Sequence, residues 1–299
     1  MFTFEYLSPS SIRNLPSYDF IDNFLRSTGR TQIGWHYIID LAWMHNILNT
    51  LPKGSNILDA GGGFGPVQFL LAELGYNVTN VDLFFNEPSR ALLNRYALEL
   101  QSDTEYKKTE YYSHLQNLEL KNKKSLISSS ADILRDILYL YRHYKWSKRN
   151  TDNISRGKII WKAANLCDLS DFDDNTFDAV VSLSALEHIP VGQIEIALNE
   201  IRRIVKKDAK WAVTTSASCY EEKDYHKPSQ CYCFSEEDLA KYFLCETGIG
   251  SREDTLQEYQ NDNLLKDNIA KFYITSGDNG MPWGTWDPKY LPIGIKATK

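Results

Sequence analysis

Short apolar runs alternate along the chain with segments whose apolar residues recur at helical spacing. This alternation is typical of a parallel sheet with helices packed on both faces. The β-rich runs predict strands at 56–60, 77–82, 158–164, 178–184 and 211–217, and closing strands at 270–276 and 292–299. We therefore predict an α/β fold with a doubly wound, mostly parallel sheet.

Helical patterns separate these strands. They predict helices over 66–74, 88–101 and 192–206, the last with a stripe of isoleucine and alanine residues. Ser235 is a suitable N-cap for a further helix over 236–244, because acidic residues fill the first turn that follows it.

Two parts of the chain fall outside the alternation. An amphipathic pattern at 35–48 precedes the first strand, so we expect residues 1–54 to form an N-terminal helical segment and residues 55–299 to form the main domain. Residues 103–157 interrupt the route from the second strand to the third. Within them, 131–146 predicts a helix with one apolar face, formed by Leu134, Ile137, Leu138, Tyr141 and Tyr144.

This insertion is strongly basic. Residues 121–162 carry a net charge of +8, whereas the whole 299-residue chain carries −6 and the remainder therefore carries −14. A basic segment beside an active site would attract an anionic substrate, but a charge run is also typical of a solvated helix face. The interleaved tyrosines leave RNA open as a ligand, although the acidic remainder makes nucleic acid a less favoured partner.

The composition, 42% apolar and 24% charged, is that of an ordinary globular protein. No apolar segment approaches the roughly 18 residues that a membrane span needs, and the first residues lack the pattern of a signal peptide, so we expect a cytoplasmic protein with no membrane partner. Five cysteines are an odd number, which favours free thiols over a disulfide framework. Cys219, His226, Cys231 and Cys233 could supply zinc ligands, but the C-x-C step is too tight, and we predict no metal.

A glycine cluster follows the first predicted strand. In a βαβ unit such glycines allow a sharp turn and a close approach of backbone to ligand. The spacing is G-x-G-x-G, at Gly61, Gly63 and Gly65, whereas a dinucleotide site favours G-x-G-x-x-G. Pro66 then removes an N–H that a phosphate would use. The cluster therefore disfavours NAD.

Two carboxylates flank this cluster. Asp82 ends the second predicted strand, seventeen residues after Gly65, where a carboxylate can accept hydrogen bonds from both hydroxyls of a ribose. Hydrogen bonds to charged acceptors contribute about 1.5–3 kcal/mol each. Asp59 lies two residues before Gly61, where it could orient the loop or meet a cation. The pair suits a ligand with a ribose, an ammonium group and no phosphate.

The run ILDAGGGFG with Asp82, and two later blocks at 171–189 and 197–218, resemble class I S-adenosyl-L-methionine-dependent methyltransferases over roughly residues 55–245. The resemblance implies a Rossmann-like sheet of seven strands with the last antiparallel, and S-adenosyl-L-methionine as the cofactor. It implies cofactor contacts from Asp59, Gly61, Gly62, Gly63, Asp82, Leu83, Asn165, Leu166 and Leu183. Asp168 replaces Asn165 if the register shifts.

Methyl transfer from a sulfonium is an in-line displacement, and a base helps only where the acceptor must lose a proton. His188, just beyond the fourth strand, is one candidate base, and a packing or capping histidine is the alternative. His36 is the second candidate, within a segment that in this class of fold commonly covers the cofactor as a lid. Trp35 there is either lid or core. The predicted substrate contacts are Tyr37, Tyr220, Tyr225 and His226.

We therefore predict an S-adenosyl-L-methionine-dependent methyltransferase that acts on an oxygen or nitrogen of a small anionic metabolite, such as a phosphorylated sugar or a nucleotide-linked or carrier-bound intermediate. Three other classes stay open: a protein of the same fold that binds the cofactor without methylating, an RNA methyltransferase and an NAD-dependent oxidoreductase. A homo-oligomer is compatible with the sequence.

Overall fold

A computed structural model describes residues 2–29, 34–63, 65–83, 95–101, 126–227, 229–267 and 286–297. The strands are β1 Phe2–Tyr6, β2 Asn56–Ala60, β3 Asn77–Asp82, β4 Leu98–Gln101, β5 Ile159–Ala163, β6 Phe177–Leu183, β7 Val205–Ser218, β8 Asp224–His226, β9 Cys231–Cys233, β10 Cys245–Ile249 and β11 Tyr290–Ala297. The helices are α1 Pro9–Arg13, α2 Pro16–Thr28, α3 Tyr37–Leu48, α4 Val67–Glu73, α5 Leu126–Asn150, α6 Val191–Ile204, α7 Glu236–Phe243 and α8 Arg252–Gln260, with a 3₁₀ turn at Leu186–His188.

One sheet organises the described chain, in the strand order β10-β1-β11-β7-β6-β2-β3-β5-β4. Its pairs are parallel except that β11 runs antiparallel to both of its neighbours. The predicted doubly wound, mostly parallel fold and its antiparallel closing strand are thus confirmed. Strands β8 and β9 form a separate hairpin.

The core lies on both faces of this sheet. Neighbouring residues of β2 show the division, because Ile57 packs with α3 and α4 while Leu58 packs with α6 and α7. Successive side chains of a strand point to opposite faces, so a strand that is covered on both faces must be apolar throughout. This explains why the central strands are apolar runs without polar alternation.

The sheet has nine described strands where seven were expected, and two added strands account for part of the difference. Residues 98–101 form β4, which pairs with β5, so the predicted helix over 88–101 is wrong at its C-terminal end. The alternation of Leu98 and Leu100 with polar residues favours a strand there. Residues 88–94 and the predicted strand over 270–276 lie outside the described residues.

The second of these is β1, which lies between β10 and β11, and β10 is a third strand that was not predicted. The N-terminal segment is therefore not helical throughout, because its first residues belong to the sheet. The alternating sequence FTFEY buries Phe4 and Tyr6, and this period of two is the signal that an expectation of helix overlooks. The predicted N-cap is confirmed: Ser235 caps α7 and forms a capping box with Asp238.

The long helix α5 buries a different face from the predicted one. Leu134, Ile137, Leu138, Tyr141 and Tyr144 are all exposed. His143, Trp146 and Ser147 are buried instead. The polar side chains point inward because they bind a buried carboxylate, that of Glu73 at the end of α4. None of the described helices is long and apolar enough to cross a membrane.

Candidate active site

The candidate site lies at the carboxyl ends of β2 and β6. In the sheet, β3 and β5 lie on one side of β2, whereas β6 and β7 lie on the other side. In open α/β sheets the crevice at such a reversal of strand order is where ligands bind. The loop after β2 and the 3₁₀ turn after β6 form the walls of this crevice.

The loop after β2 needs its glycines. Gly61 has φ +74°, and a Cβ there would lie 2.6 Å from the Cβ of Ala185. A Cβ on Gly62 would lie 2.1 Å from Asp59 Oδ2. The N–H of Gly63 donates a hydrogen bond of 2.8 Å to Asp82 Oδ2. The loop is therefore packed tightly between two carboxylates and the opposite wall of the crevice.

Asp59 supports the loop from below. Its side chain is buried, and its Oδ2 accepts a hydrogen bond of 3.1 Å from Gln68, which also donates to the carbonyl of Gly62. Burial raises the pKa of Asp59 to about 7. Asp59 is not among the residues that line the adjacent cavity.

A cavity of about 300 Å³ opens beside this loop, and we name it the glycine-loop cavity. Five of the predicted cofactor contacts line it: Gly61, Asp82, Leu83, Asn165 and Leu166. The rest of the lining consists of Ala164, Ser184, Ala185, His188, Ile189, Pro190 and Gln193. Gly62, Gly63 and Leu183 lie next to lining residues but do not line the cavity. Asp168 does not line it either, because its exposed carboxylate accepts hydrogen bonds from Ser170.

The residues of this cavity fit a nucleoside with an amino-acid tail. Asp82 offers a carboxylate at the end of β3, and Leu83 and Leu166 offer apolar contacts for a base. At the start of α4, Pro66 has no N–H, so the first donor that a pyrophosphate would use is missing. The same set fits S-adenosyl-L-methionine better than a dinucleotide.

A second cavity of about 270 Å³ shares Ser184 and His188 with the first, and we name it the histidine cavity. Its other lining residues are Gly34, Trp35, His36, Tyr37, Glu187, Ser216, Ser229, Cys231 and Tyr290. Trp35 is buried and donates a hydrogen bond of 2.9 Å to the hydroxyl of Tyr290, so it is a core residue that also forms a wall. The lining contains no lysine or arginine among the described residues.

His36 is held in one tautomer. It is buried, and its Nδ1 lies 2.8 Å from Asp40 Oδ2, which also accepts hydrogen bonds from Ser184 and Thr214. A carboxylate can only accept, so Nδ1 carries the proton and, in the neutral ring, Nε2 carries the lone pair. His36 therefore has the arrangement of a base that an acid orients.

His188 lies where the two cavities meet. It ends the 3₁₀ turn, and its side chain is exposed. Its Nδ1 lies 3.1 Å from the carbonyl oxygen of Gln230, which again places the proton on Nδ1 and the lone pair on Nε2 of the neutral ring. Of the two predicted bases, His188 alone lines both cavities.

Glu187 is a site residue that the sequence did not reveal. Its buried carboxyl group accepts hydrogen bonds from Thr215 at 2.9 Å and Ser216 at 3.2 Å. Burial raises the pKa of Glu187 to about 7, close to a value that suits proton transfer. The available signal was an acidic residue directly before His188 in an apolar turn, at the carboxyl end of a central strand.

Two of the predicted substrate contacts lie outside both cavities. Tyr220 and Tyr225 are exposed and line neither cavity. Tyr225 lies in the hairpin of β8 and β9, where its ring packs 5.0 Å from that of Tyr232. Successive residues of a strand face opposite sides, so His226 points inward instead, with its ring 5.3 Å from that of Tyr290. Tyr37 lines the histidine cavity, whereas His226 lies behind it.

The hairpin also carries two buried thiols, Cys231 and Cys233. A hydrogen bond with Cys233 lowers the pKa of Cys231 to about 5. All five cysteines are free, and no group of three or more histidine, cysteine or acidic side chains in the described part of the chain has the geometry of a metal site.

The amino-acid sequence of the chain is similar to those of known proteins. The family described as "Methyltransferase domain" matches residues 35–245, which is more than two thirds of the chain. The S-adenosyl-L-methionine-dependent Diels-Alderase iliD of Neonectria sp. (strain DH2) is 48% identical over 44 residues, which are 15% of this chain and 18% of that protein. The matched segment is thus less than a fifth of the length of this curated relative.

Two solved structures are similar at low identity. The [4+2]-cyclase SpnF is 12% identical, with 97% of this chain and 96% of that chain covered and a TM-score of 0.47. The 1,6-didemethyltoxoflavin-N1-methyltransferase of Burkholderia thailandensis, with bound 1,6-didemethyltoxoflavin and S-adenosylhomocysteine, is 14% identical, with 97% and 89% covered and a TM-score of 0.44. With TM-scores below 0.5, neither likeness bears on the function.

Proposed function

The chain belongs to the methyltransferase-domain family, and we propose that it moves the methyl group of S-adenosyl-L-methionine to an oxygen or nitrogen of a small molecule. The family match supports the predicted enzyme class and its cofactor. The observation that carries the proposal is the pair of adjacent cavities, which share Ser184 and His188. A donor in one and an acceptor in the other would meet at these two residues, as an in-line displacement requires.

In this proposal the glycine-loop cavity binds the cofactor, which supplies an electrophilic methyl group when bound. Asp82 accepts hydrogen bonds from the ribose, Leu83 and Leu166 pack against the adenine, and the backbone at Gly61 approaches the methionine part. Asp59 holds the loop in place through Gln68. Each role follows from the lining or from a hydrogen bond of the loop.

The histidine cavity then binds the acceptor. His188 Nε2 accepts the proton that an O–H or N–H group loses, and His36, oriented by Asp40, is the second candidate base. Glu187 accepts a hydrogen bond from the acceptor when it is ionised. Because no lysine or arginine of the described residues lines this cavity, we infer an uncharged acceptor in place of the predicted anionic one.

A second function is favoured by one observation, the 44-residue match to a Diels-Alderase that depends on the same cofactor. In this alternative the cofactor stays bound without giving up its methyl group, and the histidine cavity folds a polyene for cyclisation. The fold permits both functions, because the same cavities could orient either reaction.

The cofactor assignment is tested by calorimetric titration with S-adenosylhomocysteine. We expect saturable binding to the wild type and a loss of about tenfold or more for Asp82→Ala, because two hydrogen bonds to a charged acceptor are removed. Asp168→Ala is the matched control, an exposed carboxylate near the same edge that lines neither cavity. Equal affinity in Asp82→Ala and the wild type would overturn the assignment.

The choice between methylation and cyclisation is tested with S-adenosyl-L-methionine labelled in its methyl group. We expect incubation with an extract of small molecules to yield labelled products with the wild type and fewer with His188→Gln, both compared at saturating cofactor. An unlabelled product whose mass equals that of its precursor would favour the cyclase instead.

A further inference from the structure

A groove between α2 and α5 lies apart from both cavities. Its volume is about 710 Å³, and residues of α2 form one side while the C-terminal half of α5 forms the other. No residue of this α2–α5 groove lines the glycine-loop cavity or the histidine cavity. Three basic residues of the insertion, Arg142, Lys145 and Arg149, therefore face a separate site, although the sequence associated the basic insertion with the acceptor.

Four cations line the groove: Arg26, Arg142, Lys145 and Arg149. Arg26 is paired with Asp22 at 2.7 Å, an exposed pair of little energetic weight. The other three have no ion-pair partner among the described residues, and Lys145 packs 4.5 Å from the ring of Tyr141. The described lining includes no carboxylate, so Arg142, Lys145 and Arg149 give the groove a net positive charge.

The ring of Trp146 forms part of the wall of the groove. Trp146 is 6% exposed and packs against Phe20 and Phe24, with ring centroids 5.2 Å and 5.1 Å away. The ring of His143 stacks on it. The buried indole N–H of Trp146 has no hydrogen-bond partner among the described residues. Such an orphaned donor costs free energy unless a ligand or water accepts from it.

The groove is also anchored away from the candidate active site. His143 and Ser147 of α5, and Thr151 directly after it, all contact the carboxylate of Glu73. Glu73 ends α4, the helix that begins beside the glycine loop, so it lies at the opposite end of that helix from the crevice. The position of the cations is thus set by a buried network and does not depend on either cavity.

We propose that the α2–α5 groove binds a small phosphate-bearing anion, separately from the methyl donor and acceptor. Guanidinium groups match phosphate oxygens in bidentate geometry, and Arg142 and Arg149 have no acidic partner in the part of the chain that the structure describes. The site goes beyond the proposed function and does not depend on it.

The test is calorimetric titration of the full chain with inorganic pyrophosphate at fixed ionic strength. We expect saturable binding that weakens by about tenfold in Arg142→Gln and again in Arg149→Gln, since each removes charge-assisted hydrogen bonds. Lys148→Gln is the matched control, because Lys148 is exposed on the same helix, carries the same charge and does not line the groove. It should change the affinity less than about twofold.

A local readout is the indole ¹⁵N–¹H signal of Trp146, assigned with Trp146→Phe. Pyrophosphate should shift this signal and leave the affinity for S-adenosylhomocysteine unchanged. No saturable binding, or an equal loss in Lys148→Gln, would overturn the proposal in favour of a solvated charged face. Tighter binding of a single-stranded oligoribonucleotide that Lys148→Gln also weakens would replace it with an RNA surface.

Discussion

Two buried glutamates have opposite electrostatic environments. The carboxylate of Glu73, at the end of α4, contacts Arg95, Tyr96, His143, Ser147 and Thr151. Burial alone would raise the pKa of Glu73, but hydrogen bonds from His143 and Arg95 outweigh it and hold the pKa well below its usual range. Among the described residues, the carboxyl group of Glu187 accepts hydrogen bonds from two hydroxyls, and burial raises its pKa to about 7.

The difference shows that the partners of a buried carboxylate, and not burial, decide what it does. Glu73 has enough donors to stay ionised, so it joins α4, the insertion helix and Arg95 into one unit. Glu187 has too few donors to offset its desolvation, so its proton is available near neutral pH. The first environment stabilises the fold, whereas the second suits ligand chemistry.

The largest effect should come from removing the charge of Glu73. We expect Glu73→Gln to lower the free energy of unfolding at pH 7 by about 3–5 kcal/mol, because it leaves Arg95 buried without its partner. A carboxylate with a lowered pKa stabilises the protein above its ordinary pKa of 4.5, and this stability is lost as the pH falls toward the folded-state value. Urea unfolding at pH 7 and pH 4 measures both the loss and its decline.

Glu246→Gln is the control for this substitution, since Glu246 is exposed on β10. It should change the free energy of unfolding by less than about 0.5 kcal/mol. A loss in Glu73→Gln no larger than this would mean that the network contributes little, and the comparison with Glu187 would fail.

The sequence predicts those features of the site that depend on local spacing. Several site features lie at or just after the end of a strand, namely the glycine loop, Asp82 and the pair Asn165–Leu166. Their positions at the carboxyl edge of the sheet can therefore be derived from the strand predictions. Asp40 and Glu73 are different, because their partners come from distant parts of the chain. Asp40 accepts from Ser184, 144 residues away, and Glu73 from Ser147, 74 residues away.

The insertion helix illustrates the same limit. Its apolar stripe predicted a buried face, yet that face is exposed and the polar one is buried. A stripe records the tendency of one helix, whereas the need of Glu73 for donors is a property of the assembled core. Sequence periodicity could not predict that Glu73 is buried and requires hydrogen-bond donors, because Glu73 has the pattern of a polar residue at the end of an amphipathic helix.

The second effect should be a pH-dependent gain on removing the charge of Glu187. A raised pKa means that ionised Glu187 destabilises the folded state increasingly between pH 4.5 and about 7. At pH 8 the free energy of unfolding of Glu187→Gln should therefore exceed that of the wild type by up to about 3 kcal/mol. The difference should vanish near pH 4.5. Urea unfolding across this range measures the sign directly.

Glu195→Gln serves as the control, because Glu195 is exposed on α6. Its difference from the wild type should not change with pH. If Glu187→Gln were instead less stable than the wild type at pH 8, as expected for Glu73→Gln, the two glutamates would be alike and Glu187 would be a structural residue.

The smallest expected effect comes from removing one hydroxyl donor from each glutamate. Ser147 donates to Glu73 at 2.9 Å and Thr215 donates to Glu187 at 2.9 Å, so the geometry is matched. At pH 6, Glu73 is ionised and most of Glu187 is protonated. Ser147→Ala should then cost about 2 kcal/mol, as for a hydrogen bond to a charge, and Thr215→Val about 1 kcal/mol. At pH 8 the cost of Thr215→Val should rise toward that of Ser147→Ala, because Glu187 becomes ionised. A cost of Thr215→Val that is the same at both pH values would contradict the raised pKa of Glu187 and with it the contrast between the two carboxylates.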